Sequence, residues 1–205
     1  MDDECVYTCA FFDKNESLEE AQINKYHTIC NRLGLSGEKA DVLNIGCGWG
    51  SFERYLVKQN DQIKVTGLSI SESQIEWANQ RNYTHLEEKQ LNRINLKIED
   101  YLIHKSTEGY NAIVAIGMVE HVGLSGYKEF FRKAHSLLKP SGKILVHMIV
   151  KPESAVPTNS WMDKYIFPGG YTPSIKEITE SVEDLNLRVM GIYIHGPSHY
   201  ASVVS

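Results

Sequence analysis

The run Val42-Leu43-Asn44-Ile45-Gly46-Cys47-Gly48-Trp49-Gly50-Ser51 is the segment whose residue types most directly suggest chemistry. Apolar residues lead into three glycines at alternate positions, the pattern of a buried strand turning sharply into a helix. Glycines let backbone approach a ligand closely, and a helix start offers amide N–H groups that lack partners. A G-x-G alone is equally well a plain strand-to-helix turn. A dinucleotide site calls for G-x-G-x-x-G and, about twenty residues later, an acid to hold the ribose. Here the third glycine comes too early. The next strand ends in Gly67-Leu68-Ser69-Ile70-Ser71, with hydroxyls and no acid. The pattern disfavours NAD and favours S-adenosylmethionine.

The elements around this loop follow from periodicity. Ser17 to Leu33 places Leu18, Ala21, Ile29 and Leu33 on one helical face, with Glu19 and Glu20 where a helix start favours acids. Strands are predicted at Asp41–Ile45, Ile63–Leu68, Asn95–Ile98, Asn111–Ile116 and Lys143–Val150. Helices are predicted at Ser51–Gln59, at Ser71–Tyr83 with Ser71 as its cap, and at Gly126–Leu138, ahead of the turn signal Lys139-Pro140-Ser141-Gly142. Alternating strands and helices at this spacing mean a parallel α/β sheet. From Lys151 to Tyr171 no period is visible around Trp161, Tyr165 and Phe167, which suits a functional loop. Ser174–Leu185 reads as a helix, and the alternation of Arg188–His195 predicts a sixth strand.

Composition narrows the class. The chain has 205 residues, 42% hydrophobic and 23% charged, with a formal net charge of −5. One domain of that size buries roughly 70% of its unfolded surface. The acidic balance and the lack of any Lys/Arg block speak against a nucleic-acid partner. Cys5, Cys9, Cys30 and Cys47 have neither C-x-x-C nor metal-ligand spacing and read as reduced cytosolic thiols, with no metal site. The acidic start Met1-Asp2-Asp3-Glu4 is no signal or transit peptide, and no apolar run approaches the ~20 residues of a membrane span. Contact with lipid is therefore expected only at a membrane surface.

Beyond the glycine loop, several segments occur together. They are Tyr7-Thr8-Cys9-Ala10-Phe11-Phe12, Leu18-Glu19-Glu20-Ala21-Gln22, Gly117-Met118-Val119-Glu120-His121-Val122-Gly123, Leu145-Val146-His147-Met148-Ile149 and Lys164-Tyr165-Ile166-Phe167-Pro168-Gly169-Gly170. In this order the chain resembles the cyclopropane-fatty-acid synthase and mycolic-acid cyclopropane synthase family of class I S-adenosylmethionine methyltransferases. The resemblance covers nearly the whole chain. The glycine motif is common to methyltransferases at large, whereas the segments holding Cys9, Glu120, His147 and Lys164–Gly170 are much narrower signals.

The resemblance implies a Rossmann-like sheet with flanking helices. It also implies transfer of a methylene or methyl group from S-adenosylmethionine to the cis double bond of an acyl chain, on a membrane phospholipid. A carbocation forms after transfer, and bound bicarbonate takes a proton from the new methyl to close the ring. Tyr7, Gly46, Gly48, Ser69, Gln74 and Asp100 fall where the family contacts its cofactor. The backbone of Cys9 and Ile116, with the side chains of Glu120, His147 and Tyr200, matches the bicarbonate site. Taken singly, Cys9 is equally a small buried hydrophobe, His147 a satisfied core histidine, Glu120 a helix cap and Tyr200 a packing aromatic.

On this reading residues 1–36 cover the cofactor and acyl site, 37–150 form the cofactor-binding core and 151–205 the substrate side, all in one domain. Three departures from the family pattern stand out. Asn44 occupies a position where an acid is common, which predicts weaker cofactor binding. Only six residues precede Tyr7. The chain ends soon after His199-Tyr200, so the family's final antiparallel strand is expected to be missing, leaving a fragment, a chain completed by a partner or a second copy, or a non-catalytic relative. A small-molecule N-methyltransferase of the coclaurine type is the other enzymatic alternative. A cytoplasmic protein, peripheral to the membrane, is the expected setting.

Overall fold

Apolar side chains along the segment Ala40–Ile45 alternate between two faces, and that alternation sets the architecture. Val42 joins one core cluster, while Leu43 and Ile45 join the other. A strand buried on both faces must lie inside a sheet covered by helices on each side. The computed structural model describes residues 2–151 and 171–196. Within them β1 (Ala40–Ile45), β2 (Ile63–Ser69), β3 (Ile94–Ile98), β4 (Tyr110–Ile116) and β5 (Leu138–His147) form a parallel sheet in the order β3-β2-β1-β4-β5. The helices are α1 (Leu18–Leu33), α2 (Ser51–Gln59), α3 (Glu72–His85), α4 (Glu88–Leu91), α5 (Tyr127–Ser136) and α6 (Ile175–Glu180).

One face of the sheet packs Val42, Val65, Ala112 and Val114 against Ile29 and Leu33 of α1 and Phe52 and Leu56 of α2. The other packs Ile45, Leu68, Ile113 and Ala115 against Tyr127, Phe130 and Phe131 of α5. Burying each large apolar side chain contributes about 1.5–3 kcal/mol, so these two layers dominate the stabilisation. Local signals agree with the packing. Ser17 and Glu20 form a reciprocal capping box at the start of α1, and Ser71 caps α3 as predicted. The chain leaves β1 toward β2 and β3, then returns to add β4 and β5 on the opposite side. That reversal leaves a crevice beyond the carboxyl ends of β1 and β4, where open α/β sheets hold ligands.

Three predicted elements differ from the structure. The fifth strand starts at Leu138 instead of Lys143. Leu138 pairs with Tyr110 and Lys143 with Ala112, so Lys139-Pro140-Ser141-Gly142 leave the ladder between two paired stretches, with Ser141 at a left-handed φ of 66°. The turn chemistry is present, inside the strand rather than before it. The helix predicted to reach Leu185 ends at Glu180, and the chain turns through Asn186 at φ 51° so that Val182 and Leu185 meet the α5 face. Arg188–His195 forms no strand. Residues 188–194 are exposed and have no ladder partner among the described residues, and alternation alone cannot supply one. The segment instead lies across the amino-terminal region, with Tyr193 under the Arg32 guanidinium at 3.7 Å and His195 stacked on Phe11 at 3.8 Å.

Candidate active site

The glycine loop closes the carboxyl end of β1. The Gly46 and Cys47 N–H groups both donate to the Leu68 carbonyl at 2.9 Å, which fixes the loop against β2. Gly46 has φ 80°, and a Cβ there would lie 2.4 Å from Met118 Cγ, so no other residue fits. Gly50, at φ 74°, starts α2. Above the loop lies a cleft whose lining includes Tyr7, Thr8, Asn44, Gly46, Gly48 and Ile116. Three of the expected cofactor residues and one expected bicarbonate residue thus share one cavity. Ser69, Gln74 and Asp100 stand further along the same edge of the sheet. There the Ser69 hydroxyl donates to Gln74 Oε1 at 3.1 Å, and exposed Asp100 accepts from Leu102 N–H at 2.9 Å.

The ends of β4 and β5 bring the next group together. Ile116 pairs in register with His147, and Glu120 follows in a short 3-10 turn, Val119–His121. The Glu120 Oε1 atom accepts from Ile149 N–H at 2.8 Å, and the Glu120 carbonyl accepts from Tyr171 N–H at 2.9 Å. Glu120 is therefore a tie between strand ends, and the helix-cap alternative does not hold. Its Oε2 atom and the His147 Nδ1 atom are both buried with no partner among the described residues. Burial raises the Glu120 pKa against the lowering effect of the Ile149 N–H. Burial pushes His147 down to about 3, with the Lys25, His195 and Arg32 charges acting the same way, so its imidazole is neutral at physiological pH. A neutral imidazole can donate one N–H to an oxyanion, and a carboxylate can accept that ion's O–H.

The amino-terminal segment completes this corner. Phe11 meets the His147 ring edge-on at 5.5 Å, two residues beyond Cys9. Burial raises the Cys9 pKa, so its sulfur remains a thiol, donating weakly to the Ala10 carbonyl at 3.6 Å. That state does not suit a nucleophile. Tyr200, the Lys164–Gly170 segment and the aromatics Trp161, Tyr165 and Phe167 lie outside the described residues.

Two charged residues in this region escaped the sequence reading. Lys25 is wholly buried on α1, donates to Thr8 Oγ1 at 2.7 Å and has its pKa pulled to about 7 by burial. The signal was available, since Ala21, Lys25, Ile29 and Leu33 repeat every four residues and so share one helix face. Glu53 is also wholly buried and accepts from the Asn44 amide at 2.8 Å. Its contact spans nine residues across the glycine turn and follows no helix or strand period.

A family model described as mycolic acid cyclopropane synthetase matches residues 1–204. The cyclopropane-fatty-acyl-phospholipid synthase of Escherichia coli K12 is 34% identical over 177 residues, 86% of this chain and 44% of that protein. Cyclopropane mycolic acid synthase 3 of Mycobacterium tuberculosis H37Rv is 32% identical over 206 residues, 94% of this chain and 69% of that protein. The solved structure of mycolic acid cyclopropane synthase CmaA1 complexed with SAH and CTAB superposes with a TM-score of 0.80 at 28% identity, covering 93% of this chain and 69% of that one. This chain thus spans less than half the length of the E. coli enzyme. By fold and sequence it belongs to the mycolic acid cyclopropane synthetase family.

Proposed function

We propose that this chain carries the S-adenosylmethionine-dependent transfer of a methylene or methyl group to the cis double bond of an unsaturated acyl chain on a phospholipid. The observation that carries the reading is a pair of buried atoms that lack partners among the described residues, Glu120 Oε2 just past the end of β4 and His147 Nδ1 at the end of β5, where Ile116 of the glycine-loop cleft pairs with His147. Buried polar atoms are normally satisfied, so two such atoms near a cleft point to a ligand with complementary donors and acceptors. Bicarbonate has both. The family relatives support the acyl substrate, and the CmaA1 complex with SAH supports the cofactor.

In this reading Tyr7, Gly46, Gly48, Ser69, Gln74 and Asp100 hold S-adenosylmethionine, whose electrophilic methyl the alkene attacks. The glycine loop brings backbone close to the ligand and the start of α2 directs N–H groups toward it. Glu120, Tyr200 and the neutral His147 ring, with the backbone of Cys9 and Ile116, hold bicarbonate, which supplies a base for the proton that ring closure releases. Ile149 N–H fixes one Glu120 oxygen and leaves the other to accept from that ion. Burial raises the Glu120 pKa, so this carboxyl holds a proton more readily than an exposed one would. Exposed Ile98 ends β3, and exposed Ile70 and Ile103 follow β2 and β3 at the same edge of the sheet; together they favour approach from a lipid surface. Among the described residues no helix is long and apolar enough to cross a membrane.

The test uses the purified chain, deuteromethyl-labelled S-adenosylmethionine and vesicles of cis-unsaturated phospholipid, with acyl chains read by mass spectrometry. Product retaining two of the three deuterium atoms is expected, because ring closure removes one hydron from the new methyl. Retention of all three would show methyl branching. Cofactor binding without incorporation would mark a non-catalytic relative and overturn the proposal.

A further inference from the structure

Resting on the S-adenosylmethionine reading above, we propose that Glu53 is a positioning residue that acts through Asn44, the two together replacing the acid that the family pattern places at position 44. The pair supplies a cationic ligand with an oriented carbonyl at the cleft and a carboxylate one side chain behind it. Asn44 lines the cleft, while Glu53 comes up from the first turn of α2 beneath the glycine loop. The Asn44 Nδ2 group donates to Glu53 Oε1 at 2.8 Å, and both residues are buried. An amide that spends its nitrogen on Glu53 turns its oxygen the opposite way. That oxygen, Asn44 Oδ1, is buried and has no partner among the described residues.

The surroundings commit this pair to one geometry. A Cβ on Gly67 would come within 2.8 Å of Glu53 Oε1 and of Cys47 Cβ, so β2 must carry glycine there for the carboxyl to fit. Among the described residues Glu53 Oε2 is buried and unpartnered, and the bond this carboxyl accepts comes from the Asn44 amide, not from a cation. A carboxyl held in such a place without a partner cation costs stability, which a cationic ligand above it would offset. The charged and titratable groups around it are few. Arg54 follows it on α2 and favours its ionised form, the Cys47 thiol belongs to the glycine loop, and the Tyr26 phenol comes from α1. From the sheet, the backbone of Gly67 faces the carboxyl. Burial pushes the Glu53 pKa up to about 7, so a nearby positive charge draws the carboxyl toward its ionised form as pH rises through neutrality.

S-adenosylmethionine and S-adenosylhomocysteine separate this role from simple packing, because they differ by a methyl and one positive charge. Their affinities are measured by calorimetry on the wild-type chain, Glu53→Gln and the double variant Asn44→Asp/Glu53→Gln, with thermal melts to establish that each is folded. Glu53→Gln is expected to weaken S-adenosylmethionine roughly tenfold and its homocysteine product about twofold or less, the scale of one pKa unit of charge interaction. The double variant returns a single carboxylate, now at position 44 with the amide at 53 donating to it, and is expected to recover the preference. In the wild type the preference falls from about pH 8 to about pH 6, and in Glu53→Gln it is flat. Equal losses for the two ligands, or no rescue in a folded double variant, would overturn the inference alone. A wild-type chain binding neither ligand would overturn the methyltransferase reading together with it.

Discussion

Ile116 stands opposite His147 in the β4–β5 ladder, and the next amide, Gly117 N–H, donates to the His147 carbonyl at 2.8 Å. The cleft wall and the His147 strand end are therefore joined by backbone pairing. Gly117 sits at φ 65°, where a Cβ would meet Thr8 Cγ2 at 2.3 Å, so the amino-terminal segment also rests on this joint.

Gly117→Ala should accordingly act on both stability and ligand binding. Forcing a side chain into left-handed backbone costs about 1–2 kcal/mol before the clash with Thr8 is counted. Urea unfolding and S-adenosylmethionine affinity, measured on the same protein, should both decline.

Glu120→Gln separates holding the cofactor from doing the chemistry. An amide oxygen can still accept from Ile149 N–H, so the tie between strand ends survives. Loss of a positioned acid–base group is expected to slow acyl labelling by about 10² or more while cofactor affinity stays nearly constant. A variant losing labelling and cofactor binding together would contradict the role given to Glu120.

Lys25→Met probes the buried ammonium. The Lys25 pKa falls from its usual 10.5 to about 7 in the folded chain, with burial the main cause. Between those values the unfolded chain holds a proton that the folded one has released, so this group makes stability rise with pH across that window. Below pH about 7 the buried charge weighs in full. The substitution should therefore stabilise the chain most near pH 6, and the advantage should shrink by pH 9.5. Denaturant midpoints at several pH values check this, and a constant difference would argue against it.

Ser17→Ala removes the capping box that starts α1, in which the Ser17 hydroxyl accepts from Glu20 N–H at 3.2 Å. A loss of about 1 kcal/mol is expected from thermal or urea melts. Because α1 carries Lys25 and the contacts to Thr8, cofactor affinity should soften as well.

What the sequence made legible is what depends on near neighbours. The strand-turn-helix at Gly46–Ser51, the Ser71 cap and the span of α2 all follow from local chemistry, and the structure has them. The failures need distant partners. Arg188–His195 has the alternation of a strand, but a strand exists only when another backbone pairs with it. The Asn44–Glu53 bond crosses a loop between two elements, so neither residue betrays it alone. Asn44 read by itself suggests a weakened cofactor site, and its bond to Glu53 is invisible at that position alone. The grouping of Glu120 with His147 came from family resemblance, since parallel strands that lie side by side in space leave no mark in spacing along the chain.

The excursion Lys139–Gly142 has a practical side. β5 enters the sheet there, at the amino edge, a full strand length from the glycine loop and from Glu120. Pro140 and Ser141 are exposed and already stand outside the ladder, while Lys139 anchors the base of the excursion through Asp41 at 2.6 Å. An epitope or fluorescent reporter spliced between Pro140 and Ser141 would lengthen a bend the chain already makes and leave the glycine-loop edge of the sheet unobstructed.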